Sequence, residues 1–171
     1  MKNYYLILII FLSTAAFGQK GESLILDWPD SEGWKVGDNQ KDDQQQVIDM
    51  IHSNETIEKW TELGNMSVIF GVKGVPMDQA MNLMFDQAKA NAPKAKLTFI
   101  EKDESATHPW IIFMIECPNF LNDNTPESQL WFIIQGDDCL YTNFRAVKKP
   151  RITDEQKENW TKFFKTAKVV S

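Results

Sequence analysis

Cys139 and His108 are the residues best suited by type to nucleophilic catalysis. A cysteine thiolate attacks a carbonyl carbon once a histidine has taken its proton, and a carboxylate can orient that histidine. Asp137 and Asp138 directly precede Cys139, and the strands predicted below bring His108 to the same end of a sheet. A turn before Pro109 and the tip of a hairpin explain these residues more simply. A small secreted thiol hydrolase using Cys139 and His108 is therefore only an alternative hypothesis, and no residue is assigned as catalytic.

Three methionines follow helical spacing: Met77, Met81 and Met84. Thioethers are soft ligands that suit Cu(I), so an exported soft-metal (copper) carrier is a second alternative. The same positions fall on the helix face that should pack against a sheet, where methionine fills irregular gaps. Because no His or Cys lies nearby in sequence, packing is the favoured interpretation. We expect no metal site and no other cofactor.

Two further groups of residues are suited to contacting a partner. Two tryptophans lie in a segment with Pro and Gly, where aromatic side chains can serve as contact anchors or cover a sheet edge. A basic group stands out on an acidic protein and could receive an acidic partner or an anionic ligand, although strand ends commonly carry such charges. The candidate contact residues are Trp28, Trp34, Arg145, Lys148, Lys149 and Arg151.

Recognisable catalytic and metal-binding motifs are missing from the sequence. It contains no G-x-S-x-G, no H-E-x-x-H and no glycine-rich phosphate loop. The polar loops at residues 38–43 and 119–124 lack the D-x-[DN]-x-[DN]-G spacing of a calcium loop. The leading hypothesis is therefore an exported, non-catalytic binding or accessory domain of unknown ligand.

The first eighteen residues have the composition of an export signal. Lys2 supplies a positive charge, residues 4–12 are uniformly apolar, and Ala16 and Gly18 provide the small residues of a cleavage site. This apolar run is too short to cross a bilayer, which needs about 20 residues. The sequence predicts a signal peptide at residues 1–18 and a mature chain from Gln19. It further predicts a secreted or periplasmic location, with no stable membrane insertion after cleavage.

The remaining residues, 19–171, suit a single domain. The full chain carries 18 Lys and Arg against 24 Asp and Glu in 171 residues, a formal net charge of −6. An acidic, evenly mixed surface disfavours nucleic acid and anionic lipid as partners. We therefore expect the partner to be an unknown protein or small ligand of the cell envelope, and no nucleic acid.

Hydrophobic periodicity predicts the elements along the chain. Alternating or continuously apolar runs predict strands at residues 24–28, 47–52, 66–72, 97–102, 110–117, 130–135 and 140–147, with a loop at 37–43. Helical spacing predicts helices at 55–63, at 76–91 and from a capping box at Thr153 onward. Four consecutive strands before the last helix favour an antiparallel meander. The predicted fold class is α+β, an antiparallel β-sheet covered by two or three helices.

The predicted meander also separates the two cysteines. Cys117 ends one strand, and Cys139 begins the strand after the next, at the other end of the sheet. Six residues of strand correspond to roughly 20 Å. A disulfide needs Cα atoms within about 7 Å, so we expect none between them.

The order of elements resembles that of the Mog1/PsbP-like fold. The features that carry the resemblance are the capped helix with Asn54, Glu55 and Trp60, the long second helix and the last helix with Trp160. Within that fold the sequence is most similar to small secreted bacterial proteins of unknown function, over most of residues 45–170. The resemblance implies a binding or accessory role and transfers no functional residue to this chain.

Overall fold

The computed structural model describes residues 21–171. The predicted signal peptide at residues 1–18 and the predicted mature terminus at Gln19 lie outside this range, so both stay predictions. No helix within the described range has the length and apolar character needed to cross a membrane.

Residues 21–171 form nine strands, two α-helices and one short 3-10 helix. The strands are β1 (Ser23–Ile25), β2 (Trp34–Lys41), β3 (Gln45–His52), β4 (Glu62–Phe70), β5 (Lys96–Asp103), β6 (Trp110–Cys117), β7 (Glu127–Gln135), β8 (Cys139–Val147) and β9 (Lys168–Val170). The helices are α1 (Met77–Asn91) and α2 (Asp154–Phe164), and a short 3-10 helix spans Asp30–Glu32.

The fold is mainly β, so the predicted α+β class, with helices covering a sheet, is wrong. Strands hold 44% of the described residues and helices only 19%. Residues 37–43, predicted as a loop, mostly belong to the hydrophilic edge strand β2. Residues 55–63, predicted as a helix, form turns that lead into β4. Residues 38–41 pair with β3, and Leu63 pairs with Ile51 of the same strand. Backbone hydrogen bonds to a neighbouring strand outweigh weak local patterns of this kind.

Seven strands form one antiparallel sheet in the order β2-β3-β4-β8-β7-β6-β5, and β1 and β9 form a separate two-stranded sheet. The predicted meander is confirmed for the consecutive strands β5 to β8. Strand β4 then pairs with β8 and joins the two halves of the sheet. Strand β8 therefore lies at the centre, with partners on both sides.

Each face of the sheet carries its own hydrophobic core. The α2-side core contains residues from α2 and from the chain around β1, including Leu24, Trp160 and Phe164, which are 1%, 3% and 0% exposed. The α1-side core packs α1 over β6 and β7, with Met77 and Phe113 among its buried members. Trp160 is thus buried on the inner face of α2.

Local signals set the start of α2. The N–H of Gln156 donates to Thr153 Oγ1 at 3.1 Å, and the N–H of Thr153 donates to Gln156 Oε1 at 3.2 Å. This reciprocal pair satisfies two backbone donors that the first helical turn leaves without partners. The predicted capping box is confirmed.

Cys117 and Cys139 lie at opposite ends of the central strands, as predicted. Cys117, the last residue of β6, pairs with Glu127, the first residue of β7. Cys139, the first residue of β8, pairs with Phe70 of β4, at the opposite end of the sheet. Both side chains are buried, and they are not bonded to each other. Burial, with a smaller contribution from the Glu127 charge, raises the pKa of the Cys117 thiol to about 11.

Candidate functional site

Strand β8 turns an arginine towards the α2-side core. Side chains alternate along a strand, so Arg145 shares a face with Tyr141 and Val147, both members of that core. Only 3% of Arg145 is exposed. A guanidinium stays charged in proteins, so its burial requires counter-charges and hydrogen-bond acceptors.

Two carboxylates from distant parts of the chain bind this guanidinium. Glu62, the first residue of β4, accepts a bond from Arg145 Nε at 3.1 Å and another from Nη2. Glu32, in the 3-10 helix, accepts a bond from the same Nη2 at 2.7 Å and one from Trp34 Nε1 at 2.8 Å. Charge-assisted bonds of this kind are stronger than neutral ones. The positive charge of Arg145 is thereby neutralised within the protein.

Four aromatic rings surround the same guanidinium. Its carbon lies 4.9 Å from a ring centre of Trp160, 5.0 Å from Trp34, 5.5 Å from Phe163 and 5.9 Å from Trp28. Aromatic faces attract cations by about 0.5–1 kcal/mol at exposed sites and by more where water is excluded. Because Trp160 and Phe163 belong to α2 and the other two rings precede or begin β2, Arg145 joins these parts of the chain to the central strand.

The N-terminal strap, residues 22–34, is anchored at its first residue. The Glu22 carboxylate is 2% exposed and accepts bonds from the N–H groups of Asp137 and Asp138 at 2.5 and 3.0 Å. The hydroxyl of Tyr141 donates to it at 3.1 Å. Burial and the Glu22 charge raise the pKa of Tyr141, which keeps its hydroxyl protonated as a donor. The strap is therefore held to the turn between β7 and β8.

The middle of the N-terminal strap fits against a glycine of β4. A Cβ atom on Gly64 would lie only 2.0 Å from Cη2 of Trp28, so no side chain is tolerated there without displacing the ring. The indole N–H of Trp28 points to the Met66 sulfur, 2.9 Å away. The lack of a side chain at Gly64 thus allows the Trp28 ring to pack directly against β4, close to Arg145.

A surface cleft of about 390 Å³, the acidic cleft, lies beside Arg145. Its walls come from the 3-10 helix, the adjoining ends of β3 and β4, and the first turns of α2. Sites for small ligands commonly have volumes of about 300–1,000 Å³. The lining residues are Glu32, His52, Glu62, Arg145, Glu155, Gln156, Asn159 and Trp160.

Three carboxylates and one guanidinium leave the acidic cleft with surplus negative charge. Arg145 donates hydrogen bonds to Oε1 of Glu62 and to Oε2 of Glu32. Within residues 21–171, the second oxygens, Glu62 Oε2 and Glu32 Oε1, have no hydrogen-bond partner. Glu155 is exposed on the first turn of α2. Carboxylate oxygens only accept hydrogen bonds, so the arrangement suits a ligand that donates them.

His52, the last residue of β3, adds an aromatic surface to the acidic cleft. Its Nδ1 lies 2.9 Å from the backbone carbonyl oxygen of Glu32. Because a carbonyl oxygen only accepts, Nδ1 carries a proton. The imidazole ring also packs on Trp34, with ring centres 4.4 Å apart. These two contacts fix the position of the ring at the cleft.

The structure separates the residues of the thiol-hydrolase alternative. Nε2 of His108 lies 3.7 Å from Asp137 Oδ1, so this pair does come together. Cys139, in contrast, is 0% exposed and packs in the α2-side core. Asp138 is directed to Lys73 as an ion pair. A substrate could reach the Cys139 sulfur only if that core opened.

The three methionines of α1 pack against the sheet. Met77 is 1% exposed, and Met81 and Met84 are half-buried against the α1-side core. Among the described residues, no group of three His, Cys, Asp or Glu side chains is placed to hold a metal ion.

The candidate contact residues divide into two sets. Trp28, Trp34 and Arg145 come together beneath the acidic cleft, where the two rings pack on the guanidinium. Lys148 lies over the ring of Trp60, with Nζ 4.4 Å from its centre. The other two basic residues, Lys149 and Arg151, are exposed.

Sequence reasoning missed the acidic members of the site, Glu32, Glu62 and Glu155, and the ring of His52. The alternation of β8 was the one available signal, since it turns Arg145 inwards and a buried arginine requires carboxylates. Nothing in the spacing of the chain indicates which glutamates meet it. No protein-family model and no curated protein matches this sequence, so the function is inferred from the geometry of the acidic cleft.

Proposed function

We propose that this chain is an exported, non-catalytic binding domain whose acidic cleft takes up a positively charged ligand. One observation carries the proposal: Arg145 is already neutralised by Glu32 and Glu62, yet both carboxylates keep an oxygen without a partner among residues 21–171. Glu155 adds a third negative charge at the rim. Clefts lined by one sign of charge concentrate ligands of the opposite sign. We therefore do not propose an anionic ligand at Arg145, which the sequence had left open for the basic group as a whole.

The chemistry of the lining favours binding over catalysis. The side chains there are three carboxylates, two amides, one imidazole, one indole and one guanidinium, and the two inner carboxylates are already bonded to Arg145. A binding or accessory role is also the class of function that the Mog1/PsbP-like resemblance implies.

Titration of the ¹⁵N-labelled protein with a simple dication tests the proposal. We expect 1,4-diaminobutane to shift the Trp34 and Trp160 indole signals and the amides of the first α2 turn in a saturable way. Succinate, which has the same chain length and two negative charges, should not. Raising the salt concentration should weaken binding, because the rim charges are screened within about 10 Å at 0.1 M.

Two matched substitutions on α2 test whether the ligand binds in the acidic cleft. Glu155→Gln removes a carboxylate of the acidic cleft and should raise the Kd for 1,4-diaminobutane by about 2- to 5-fold, the effect of one partly screened ion pair. Glu158→Gln removes a carboxylate that pairs with Lys162 and does not line the cleft, and should leave the Kd unchanged. Equal effects of the two changes, or no saturable shift in the parent protein, would contradict the proposal.

A further inference from the structure

We infer that the cation recognised in the acidic cleft is a guanidinium group, presented by a small molecule or by an arginine side chain. The inference rests on the proposed function, since it names the chemical class of the ligand for the same site.

The two inner carboxylates are held close together. Glu32 Oε2 and Glu62 Oε1 both bond the same Arg145 nitrogen, Nη2, so the carboxylate groups flank one atom. Each carboxylate keeps its second oxygen, Glu32 Oε1 and Glu62 Oε2, without a partner among residues 21–171 and able to accept a further hydrogen bond. A planar guanidinium presents several N–H donors in a fixed fork and can bond two such acceptors at once, whereas an ammonium acts as a point charge.

A flat ring surface lies beside these acceptors. The half-buried His52 ring lines the acidic cleft with the carboxylates and is held against Trp34. A guanidinium is weakly hydrated and stacks on aromatic faces, while an ammonium is strongly hydrated and loses more on entering a partly apolar site. A cleft that combines acceptors with an accessible aromatic ring therefore favours the guanidinium.

Arg145 shows that these groups can bind a guanidinium. Its own side chain is held by the same two glutamates and by the rings of Trp34 and Trp160. A divalent metal ion would need a dedicated group of ligands, and no group of three His, Cys, Asp or Glu among the described residues is placed to supply one. The cleft is open at Glu155 and Asn159, both exposed, so a ligand or a peptide side chain can enter from solvent.

The test compares two dications that differ in one group. Agmatine and 1,4-diaminobutane share a four-carbon chain and two positive charges, but agmatine carries a guanidinium in place of one ammonium. We expect agmatine to bind at least about fivefold more tightly at equal ionic strength. Equal affinities would overturn the guanidinium assignment and leave the proposed function standing, and no binding of either compound would overturn both.

Two capped tripeptides test whether the guanidinium belongs to an arginine side chain or to a small molecule. Acetyl-Gly-Arg-Gly-amide should bind more tightly than acetyl-Gly-Lys-Gly-amide if the natural ligand is an arginine side chain. Binding of agmatine without binding of the arginine peptide would assign the site to a small molecule. A lysine peptide that binds as well as the arginine peptide would count against guanidinium recognition.

His52→Gln tests the contribution of the ring to this preference. Glutamine can still donate to the Glu32 carbonyl but offers no aromatic face, so the ratio of the two affinities should fall towards one while 1,4-diaminobutane still binds. Thermal unfolding of the variant checks that its fold is kept. A folded variant with an unchanged ratio would overturn the role of the His52 ring in selecting a guanidinium.

Discussion

Replacing Arg145 with methionine tests whether this guanidinium holds the N-terminal strap and α2 to the sheet. Methionine keeps a flexible, unbranched chain among the rings, so the charge and its hydrogen bonds are lost while much of the packing stays. Arg145 is 3% exposed and is bonded by Glu32 and Glu62. Breaking a buried ion pair costs about 3–5 kcal/mol, because the remaining partner becomes an uncompensated buried charge.

The solvent exposure of Glu32 and Glu62 places the expected loss of stability at the lower end of the range of about 3–5 kcal/mol. Their side chains are 38% exposed for Glu32 and 19% for Glu62, so both can recover part of their hydration. We therefore expect a loss of about 3 kcal/mol in the free energy of unfolding. For a domain of this size, that corresponds to a decrease in Tm of about 6–12 °C.

Urea unfolding followed by far-UV circular dichroism measures this loss without relying on the tryptophans beside the mutated residue. Arg151→Met makes the same chemical change at an exposed arginine and should alter stability by less than about 0.5 kcal/mol. Adding Glu62→Gln to Arg145→Met should restore some stability, because it removes one of the stranded charges. A loss for Arg145→Met below about 1 kcal/mol, or one no larger than that of Arg151→Met, would refute the reasoning.

Three further predictions concern the surroundings of the site. Gly64→Ala should cost about 1–3 kcal/mol and change the near-UV circular dichroism, because its Cβ would lie 2.0 Å from Trp28 Cη2; an unchanged midpoint of unfolding would contradict that packing. Thr153→Ala should cost about 1 kcal/mol, whereas Thr153→Ser, which keeps the capping hydroxyl, should cost clearly less; equal losses would show that the cap contributes nothing. Burial raises the pKa of Cys117 from 9.0 to about 11, so its contribution to stability is complete below pH 9 and is lost as the pH rises through 11. Denaturation at a series of pH values should therefore show a smaller alkaline loss in Cys117→Ala than in the parent protein, and identical losses would be inconsistent with this assignment.

Elements with strong local signals could be predicted from the sequence. The capping box at Thr153 starts α2, and the helix at 76–91 is observed as Met77–Asn91. The continuously apolar run at 110–117 is β6, with the predicted bounds. In each case, capping groups or a long apolar pattern within the segment itself decide its conformation.

The region before Leu63 could not be predicted, because its conformation depends on distant partners. Ile57, Trp60 and Leu63 have helical spacing, but Leu63 pairs with Ile51 on one side and Ala146 on the other. Those pairings bury Leu63 to 7% exposure within the sheet. A short helix has little stability of its own, so strand pairing prevails.

The candidate site depends on contacts of the same long-range kind. In sequence, Arg145 stands near Lys148, Lys149 and Arg151, and the group suggests an anion-binding surface. In the fold, β8 turns Arg145 inwards, while the three other residues follow the end of the strand and face solvent. The fold therefore separates Arg145 from the three other basic residues, and the candidate site beside it is the acidic cleft.

The pairing of β1 with β9 also makes this protein suitable for circular permutation. Ser23 lies opposite Val170, so the two ends of the described chain meet as neighbouring strands. A short linker between them would close the polypeptide into a ring, which could be opened at the largely exposed loop of residues 118–126. Such a circular permutant would keep every residue of the acidic cleft in place, since none lies in either the joined ends or the opened loop. Ligand recognition should then be independent of the order in which the polypeptide is connected.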